Sequence, residues 1–248
     1  MEKNSITNSK FIITSADTDM KARLRLSAIV NILIQSASQS AESLGFGYKN
    51  LKKHKLFWVL SRLSIEILET VKWNDEIIVE TWPKDINGIL YLRDFFLRNR
   101  NKTTIAKATT GWLAIDLESK RPKRVAEENR ELFISLKDKF AIKDPPEKLS
   151  PLNSGDKFEV NSNYFDIDLN KHVTSTRYID WMMDTFPIDF HKHNYPEKLS
   201  VNYVKETLPG QKISIKRNEI KKNKYIFEGV DNKSLKTSFR GRIDFKNE

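Results

Sequence analysis

The chain of 248 residues contains no cysteine. A disulfide framework, a thiolate zinc site and a cysteine nucleophile are excluded before any motif is read. Glycine is scarce, with 8 residues, and none is set in a phosphate-cradling loop, so no nucleotide cofactor is implied. Long apolar runs are missing too: Ile29 to Ile34 and Leu56 to Leu60 fall far short of the roughly 20 residues that span a bilayer. The amino-terminal stretch MEKNSITNSKFIITS has no sustained apolar segment and no small-residue cleavage site. Nothing in it marks the chain for secretion, and the cytoplasm is the expected location.

What is present is core material and positive charge. A hydrophobic share of 39% with 14 Phe, 7 Tyr and 5 Trp is enough for one large or two small folded domains. The formal charge of +10, from 43 Lys and Arg against 33 Asp and Glu, points to an acidic partner: nucleic acid, a membrane surface or an acidic carrier protein. The basic residues are spread over both halves, and no nucleic-acid-binding motif accompanies them.

Periodicity divides the chain into two similar halves. Leu24, Leu26, Ile29, Val30, Leu33, Ile34, Ala37 and Ala41 recur at helical spacing, with Gly45 and Gly47 as stop signals. Alternating, β-branched runs follow at Trp58 to Leu68, Glu76 to Trp82, Ile89 to Leu97 and Thr104 to Ile115. Trp73 to Asp75, Asp85 to Gly88 and Asn99 to Asn101 punctuate them, Glu118 to Arg124 reads as a turn, and Glu127 to Lys139 as a short helix. Residues 144–154, with Pro145, Pro146 and Pro151, read as a linker between domains 1–143 and 155–248. The order then recurs: a helix from Thr174 to Phe186, then strands at Leu199 to Thr207, Lys212 to Ile220, Lys224 to Val230 and Ser234 to Phe245. DTDMKARLRLSAIVNI, beginning at Asp17, aligns without a gap on DIDLNKHVTSTRYIDW, beginning at Asp166, and Glu69-Thr70 pairs with Glu206-Thr207. A repeat of this size implies two lobes, each with one helix and one sheet covering each other.

The two copies differ chemically. Where the first has Asp19, Lys21 and Arg23, the second has Asp168, Asn170 and His172. The second set places a carboxylate, an amide and an imidazole just ahead of a helix, an acceptor, a donor and a titratable base together. The first set has no such base, because Lys and Arg stay charged. Spacing alone also suits a plain turn, with Asp168 as a cap, Asn170 as a turn residue and His172 as an ordinary exposed histidine. His191 and His193 suggest a metal pair, but without a companion Cys or carboxylate cluster a solvated loop accounts for them.

The stretch DIDLNKHVTSTRYIDWMMDTFP resembles the signature of the acyl-[acyl carrier protein] thioesterases, the plant and bacterial family with two hotdog lobes. Asp168, Asn170 and His172 match its D-x-N-x-H motif, and Glu206 in Tyr203-Val204-Lys205-Glu206 matches its later acidic residue. Trp58 to Arg62, Trp112 to Asp116 and the basic turn Lys120 to Arg124 are similar too, so the resemblance covers nearly the whole chain. It implies an α+β fold of two tandem hotdog lobes, each a long helix wrapped by an antiparallel sheet. It implies hydrolysis of acyl carrier protein thioesters in fatty acid biosynthesis, with Asp168, Asn170, His172 and Glu206 as the catalytic set, no cofactor and no metal. The partner would be the acidic carrier, with no nucleic acid and no membrane span, and the assembly a homodimer or a pseudo-dimer of the fused lobes. An acyl-CoA thioesterase or hydratase on the same fold is the nearest alternative, and a nucleic-acid-binding protein the more distant one.

Two departures stand out. Thr207 replaces the cysteine that plant relatives carry after the acidic residue, and Thr174-Ser175 replaces Asn-Asn at the helix start. Neither removes an acid or a base. Lys120, Arg121, Lys123 and Arg124 are expected to help dock the carrier. Ile29, Leu33 and Ala37, on a helix freed from chemistry, are expected to shape the acyl tunnel.

Overall fold

The computed structural model describes residues 5–125 and 130–247. The chain forms two compact units, residues 1–146 and 147–248. The division falls inside the proline-bearing stretch, whose later part packs on the second unit: Leu149 and Leu152 are buried, and their N–H groups donate to Asn202 Oδ1 (2.7 Å) and Glu228 Oε2 (3.0 Å).

In the first unit the strands are β1 (Thr7–Ile12), β2 (Leu56–Ile67), β3 (Glu76–Asn87), β4 (Leu90–Asn99), β5 (Thr104–Asp116) and the short β6 (Pro122–Lys123), which pairs with β5. All pair antiparallel in the order β1-β3-β4-β5-β2. Helix α1 (Leu26–Leu44) lies against β1 and β3. Its apolar stripe, Leu26, Ile29, Val30, Leu33 and Ala37, is buried against the sheet, each large side chain contributing about 1.5–3 kcal/mol of burial. The helix stops at Gly45, whose φ of 87° is the left-handed conformation that glycine adopts without a Cβ clash. A short helix α2 (Tyr48–Lys53) and α3 (Arg130–Ile134) complete the unit. Of the expected helix over Glu127 to Lys139, Arg130–Ile134 is helical and residues 135–139 are not, and its start lies outside the described residues. The Asp85–Gly88 punctuation is also corrected: β3 bulges between Pro83 and Asp85, continues to Asn87, and turns at Gly88, φ 63°.

The second unit has β7 (Asp156–Asn161), β8 (Asn194–Tyr203), β9 (Lys212–Lys221), β10 (Lys224–Asp231) and β11 (Thr237–Asn247). They pair antiparallel in the order β7-β9-β10-β11-β8, the same spatial sequence as the first sheet. Each unit is therefore a hotdog lobe, and the α+β fold read from the sequence is the fold observed. Helix α4 (Ser175–Met183) is half the length of α1, shorter than the expected Thr174–Phe186. Pro187, which has no N–H to continue a helix, instead opens a separate helix α5 (Ile188–His193). The first strand, expected at Leu199 to Thr207, begins and ends earlier, so Glu206 lies on the connection beyond β8. Among the described residues no helix is long and apolar enough to cross a membrane.

Helix α4 lies close to its sheet at residue 241 on β11: a Cβ there would run into the sulfur of the buried Met182, whose side chain would have to shift. Gly111 on β5 has room, since its Cβ would meet Leu90 at 3.5 Å. Gly241→Ala should lower stability by about 1–3 kcal/mol while Gly111→Ala changes it little, as read from urea unfolding of both variants.

Candidate functional site

The site grows from a loop that the fold builds twice. In each unit a 3-10 turn, Ser15–Asp17 and Tyr164–Asp166, is closed by a capping box in which the aspartate accepts from the cap residue's N–H: Thr14 to Asp17 Oδ2 at 2.9 Å and Asn163 to Asp166 Oδ2 at 2.7 Å. A tight turn follows, with Ala22 and Lys171 at matching positive φ of 58° and 64°. Its centre is an aspartate. Asp168 Oδ1 accepts from the backbone N–H groups of Asn170 (2.8 Å) and His172 (3.2 Å), and its own N–H donates to His172 O at 2.8 Å. Asp19 does the same with Lys21 (2.8 Å), Arg23 (3.0 Å) and Arg23 O (2.8 Å). The turn is then tied to the chain beyond the unit's long strand, by Leu24 N–H to Val71 O (2.8 Å) and Val173 N–H to Thr207 O (2.9 Å).

These ties correct the alignment of the copies. Because Val71 matches Thr207, the counterpart of Glu206 is Thr70 and not Glu69. The preceding bonds agree: Leu68 and Glu69 N–H both donate to Ile105 O, as Val204 and Lys205 N–H donate to Ser238 O. Glu69 therefore corresponds to Lys205, and the shared Glu-Thr pairs are a coincidence displaced by one residue.

On the common frame the units diverge in their side chains. In the first, the Arg23 guanidinium folds back on its own turn, with Nε and Nη2 each 2.8 Å from Asp19 Oδ2 and only 3% of the residue exposed. The turn is sealed by its own ion pair. In the second, His172 is too short to do this and turns outward, its Nε2 4.0 Å from Glu206 Oε2, with the imidazole about one-third exposed. That separation exceeds a hydrogen bond, so the two groups are neighbours and not a bonded pair. Asn170 is exposed at the turn. The structure thus brings Asp168, Asn170 and His172 onto one turn and sets Glu206 beside the imidazole.

Two supports were not legible. Tyr178, buried on α4 where the first copy has Ile29, accepts at its hydroxyl from Thr207 N–H (3.1 Å). Burial raises its pKa, and the nearby Asp168 and Glu206 charges add to the effect. A tyrosine at the repeat position of a core isoleucine was the available signal. Thr207 itself is fully buried, so the position of the plant cysteine serves here as a strut that holds Glu206 at the turn.

The other expected residues fall elsewhere. His191 Nε2 lies 3.1 Å from Met183 O, and no group of three or more metal-ligating side chains occurs among the described residues. In the basic turn Lys123 pairs with Asp116 at 2.6 Å, leaving Lys120, Arg121 and Arg124 exposed. Of the three helix positions expected to shape a tunnel, Ile29 and Leu33 are buried core residues, and Ala37 lines a cavity in the first unit.

Known proteins identify the family of the chain. Residues 4–133 match the acyl-ACP thioesterase N-terminal domain and residues 150–247 the C-terminal domain. The oleoyl-acyl carrier protein thioesterase 2 of Arabidopsis thaliana, chloroplastic by name, is 28% identical over 214 residues, 77% of this chain and 58% of that protein. The chain thus spans about three-fifths of the length of the curated relatives it matches. The crystal structure of an acyl-ACP thioesterase from Bacteroides thetaiotaomicron superposes with a TM-score of 0.84 at 27% identity, covering 99% of this chain and 100% of that one. The 12:0-ACP thioesterase of Umbellularia californica shares the fold, with a TM-score of 0.85 at 20% identity and 98% of each chain covered. With both domain families matched in order along nearly its whole length, this chain belongs to the acyl-ACP thioesterase family.

Proposed function

We propose that the chain hydrolyses the thioester of an acyl group borne by acyl carrier protein and releases the free fatty acid. The observation that carries this reading is the open turn of the second unit, where His172 faces Glu206 at 4.0 Å over a frame that the first unit seals with Arg23. Thioester hydrolysis requires an activated water, a group to polarise the carbonyl and a proton for the leaving thiolate. The Glu206 and His172 pair takes a proton from water as its oxygen attacks the carbonyl carbon. The tetrahedral intermediate collapses, the C–S bond breaks, and the pair returns the proton to sulfur. Asn170, on the exposed edge of the turn, supplies an amide donor toward the carbonyl. Asp168 is assigned the orienting part, because one of its oxygens is already occupied by the two backbone N–H groups that set the His172 backbone.

The charge of +10 suits an acidic carrier, which long-range attraction steers toward a basic surface. Arg121 and Arg124 are the exposed part of the basic turn best suited to this role, since Lys123 is held by Asp116 and Lys120 lies over the Phe57 ring. The cysteine-free composition fits a reducing cytoplasm.

Glu206→Gln should keep the fold and lower kcat on acyl carrier thioesters by about 10² or more, whereas Glu69→Gln, aligned with Lys205, should leave kcat near the parent value. Equal losses in two folded variants would remove Glu206 from the chemistry. Reversing the charges of Lys120, Arg121 and Arg124 together should raise KM for the carrier substrate at low salt and weaken its salt dependence relative to the parent protein. An unchanged carrier KM would take this turn out of the docking surface.

A further inference from the structure

The second unit surrounds its open turn with apolar side chains that the proposed chemistry does not use. Tyr164 and Phe165 on the 3-10 turn are 85% and 91% exposed, and Leu169, next to Asn170, is 86% exposed. Val204 and Leu208, on either side of Glu206 in the connection after β8, are about half exposed. The bond from Val173 N–H to Thr207 O ties the turn to that connection, so both groups of apolar residues belong to the segments that carry His172 and Glu206. Single exposed apolar side chains are ordinary, whereas several around one feature mark an interaction site.

The internal repeat supplies a control. In the corrected register the first unit has Ser15, Ala16, Met20, Leu68 and Lys72 at these positions. The two aromatic rings and Leu208 therefore occur only where the turn is open, and small or charged residues stand in their place where Arg23 seals it. The rings are also held in position. Asp166, next to Phe165, accepts from Asn163 N–H (2.7 Å) and pairs with Arg177 Nε (2.6 Å), and the two rings meet edge to face with centroids 5.3 Å apart. Ordering such side chains in advance lowers the entropy cost of contact, and Tyr is among the residues that dominate interface energetics.

What covers this face is limited by what it surrounds. A bilayer, or a second copy of the chain held permanently here, would close the turn to its substrate. A partner that arrives with the thioester and leaves after hydrolysis would not. Lys171 and Lys205 are exposed among the apolar residues, and they favour an acidic surface as the net charge of +10 does.

We propose that Tyr164, Phe165 and Leu169, with Lys171 and Lys205, form a docking surface for the protein that delivers the thioester: a small acidic carrier that lays an apolar patch edged by carboxylates on the two rings. This rests on the reading that the chain hydrolyses carrier-borne thioesters.

The test is binding without turnover. An acyl carrier protein bearing its acyl group through an amide in place of the thioester is titrated calorimetrically into the full chain and into Tyr164→Ser/Phe165→Ala, which installs the first unit's residues at exposed positions. The double variant should keep its melting temperature and bind the carrier about tenfold or more weakly. The ratio should persist at high salt, where the contribution of charge is screened. No carrier binding by the parent protein, equal affinities, or a ratio that vanishes with added salt would overturn the proposal. So would a loss seen only in self-association by sedimentation, or only in cosedimentation with phosphatidylglycerol vesicles, with carrier binding unchanged. Should the double variant fail to fold, Leu169→Ser serves instead: carrier affinity should fall by about threefold or more, and an unchanged affinity would overturn the proposal equally. A parent chain that binds the amide carrier through these residues yet leaves the thioester intact would contradict the proposed reaction and not the docking surface.

Discussion

One carboxylate at the heart of a tight turn organises the candidate site of this molecule. Asp168 gathers two backbone N–H groups on one oxygen, which forces the left-handed residue Lys171 and fixes the direction in which residue 172 leaves the backbone. The bond from Val173 to Thr207 then anchors the turn to the connection after β8, and Tyr178 braces the same residue from α4. Glu206 stands beside His172 because its immediate neighbour is buried and doubly bonded. The exposed residues of the candidate site thus hang from a frame whose backbone N–H groups at Asn170, His172, Val173 and Thr207 are paired.

The first unit shows what the frame does without reactive side chains. Asp19, Ala22, Leu24 and Val71 repeat the geometry to within a few tenths of an ångström. The long, planar Arg23 guanidinium returns to Asp19 and closes the turn, whereas the shorter imidazole of His172 cannot make that bidentate return. The same sheet order and loop therefore give a closed Arg23–Asp19 ion pair in one lobe and His172 facing Glu206 at 4.0 Å in the other. The first lobe also has the longer helix and an aromatic-lined cavity.

Much of this was readable from the residues, and the failures have physical causes. Long strands with β-branched alternation declared themselves, as did the heptad-like stripe of α1 and its Gly45 stop. Strands β1 and β7 did not, because both alternate only between half-buried and exposed residues, as edge strands do. Helix α2 was silent for a similar reason, with Leu51 its single buried residue. The D-x-N-x-H spacing predicted which side chains share a turn. It did not predict the partner of residue 23, since Lys and Arg read alike as cations until the fork geometry of Arg is placed. The register of the second match was misread because Glu-Thr occurs at both strand ends, and only the hydrogen bonds to Ile105 and Ser238 show that the pairs are offset.

If the open turn is what separates the reactive lobe from the sealed one, then making the second turn resemble the first should close it. His172→Arg is the direct measurement: hydrolysis of an acyl carrier thioester together with thermal unfolding of the same variant. The guanidinium should fold back onto Asp168 as Arg23 folds onto Asp19, leaving the melting temperature unchanged or higher while turnover falls by about 10² or more. A folded His172→Arg protein that hydrolyses at the parent rate would contradict the account.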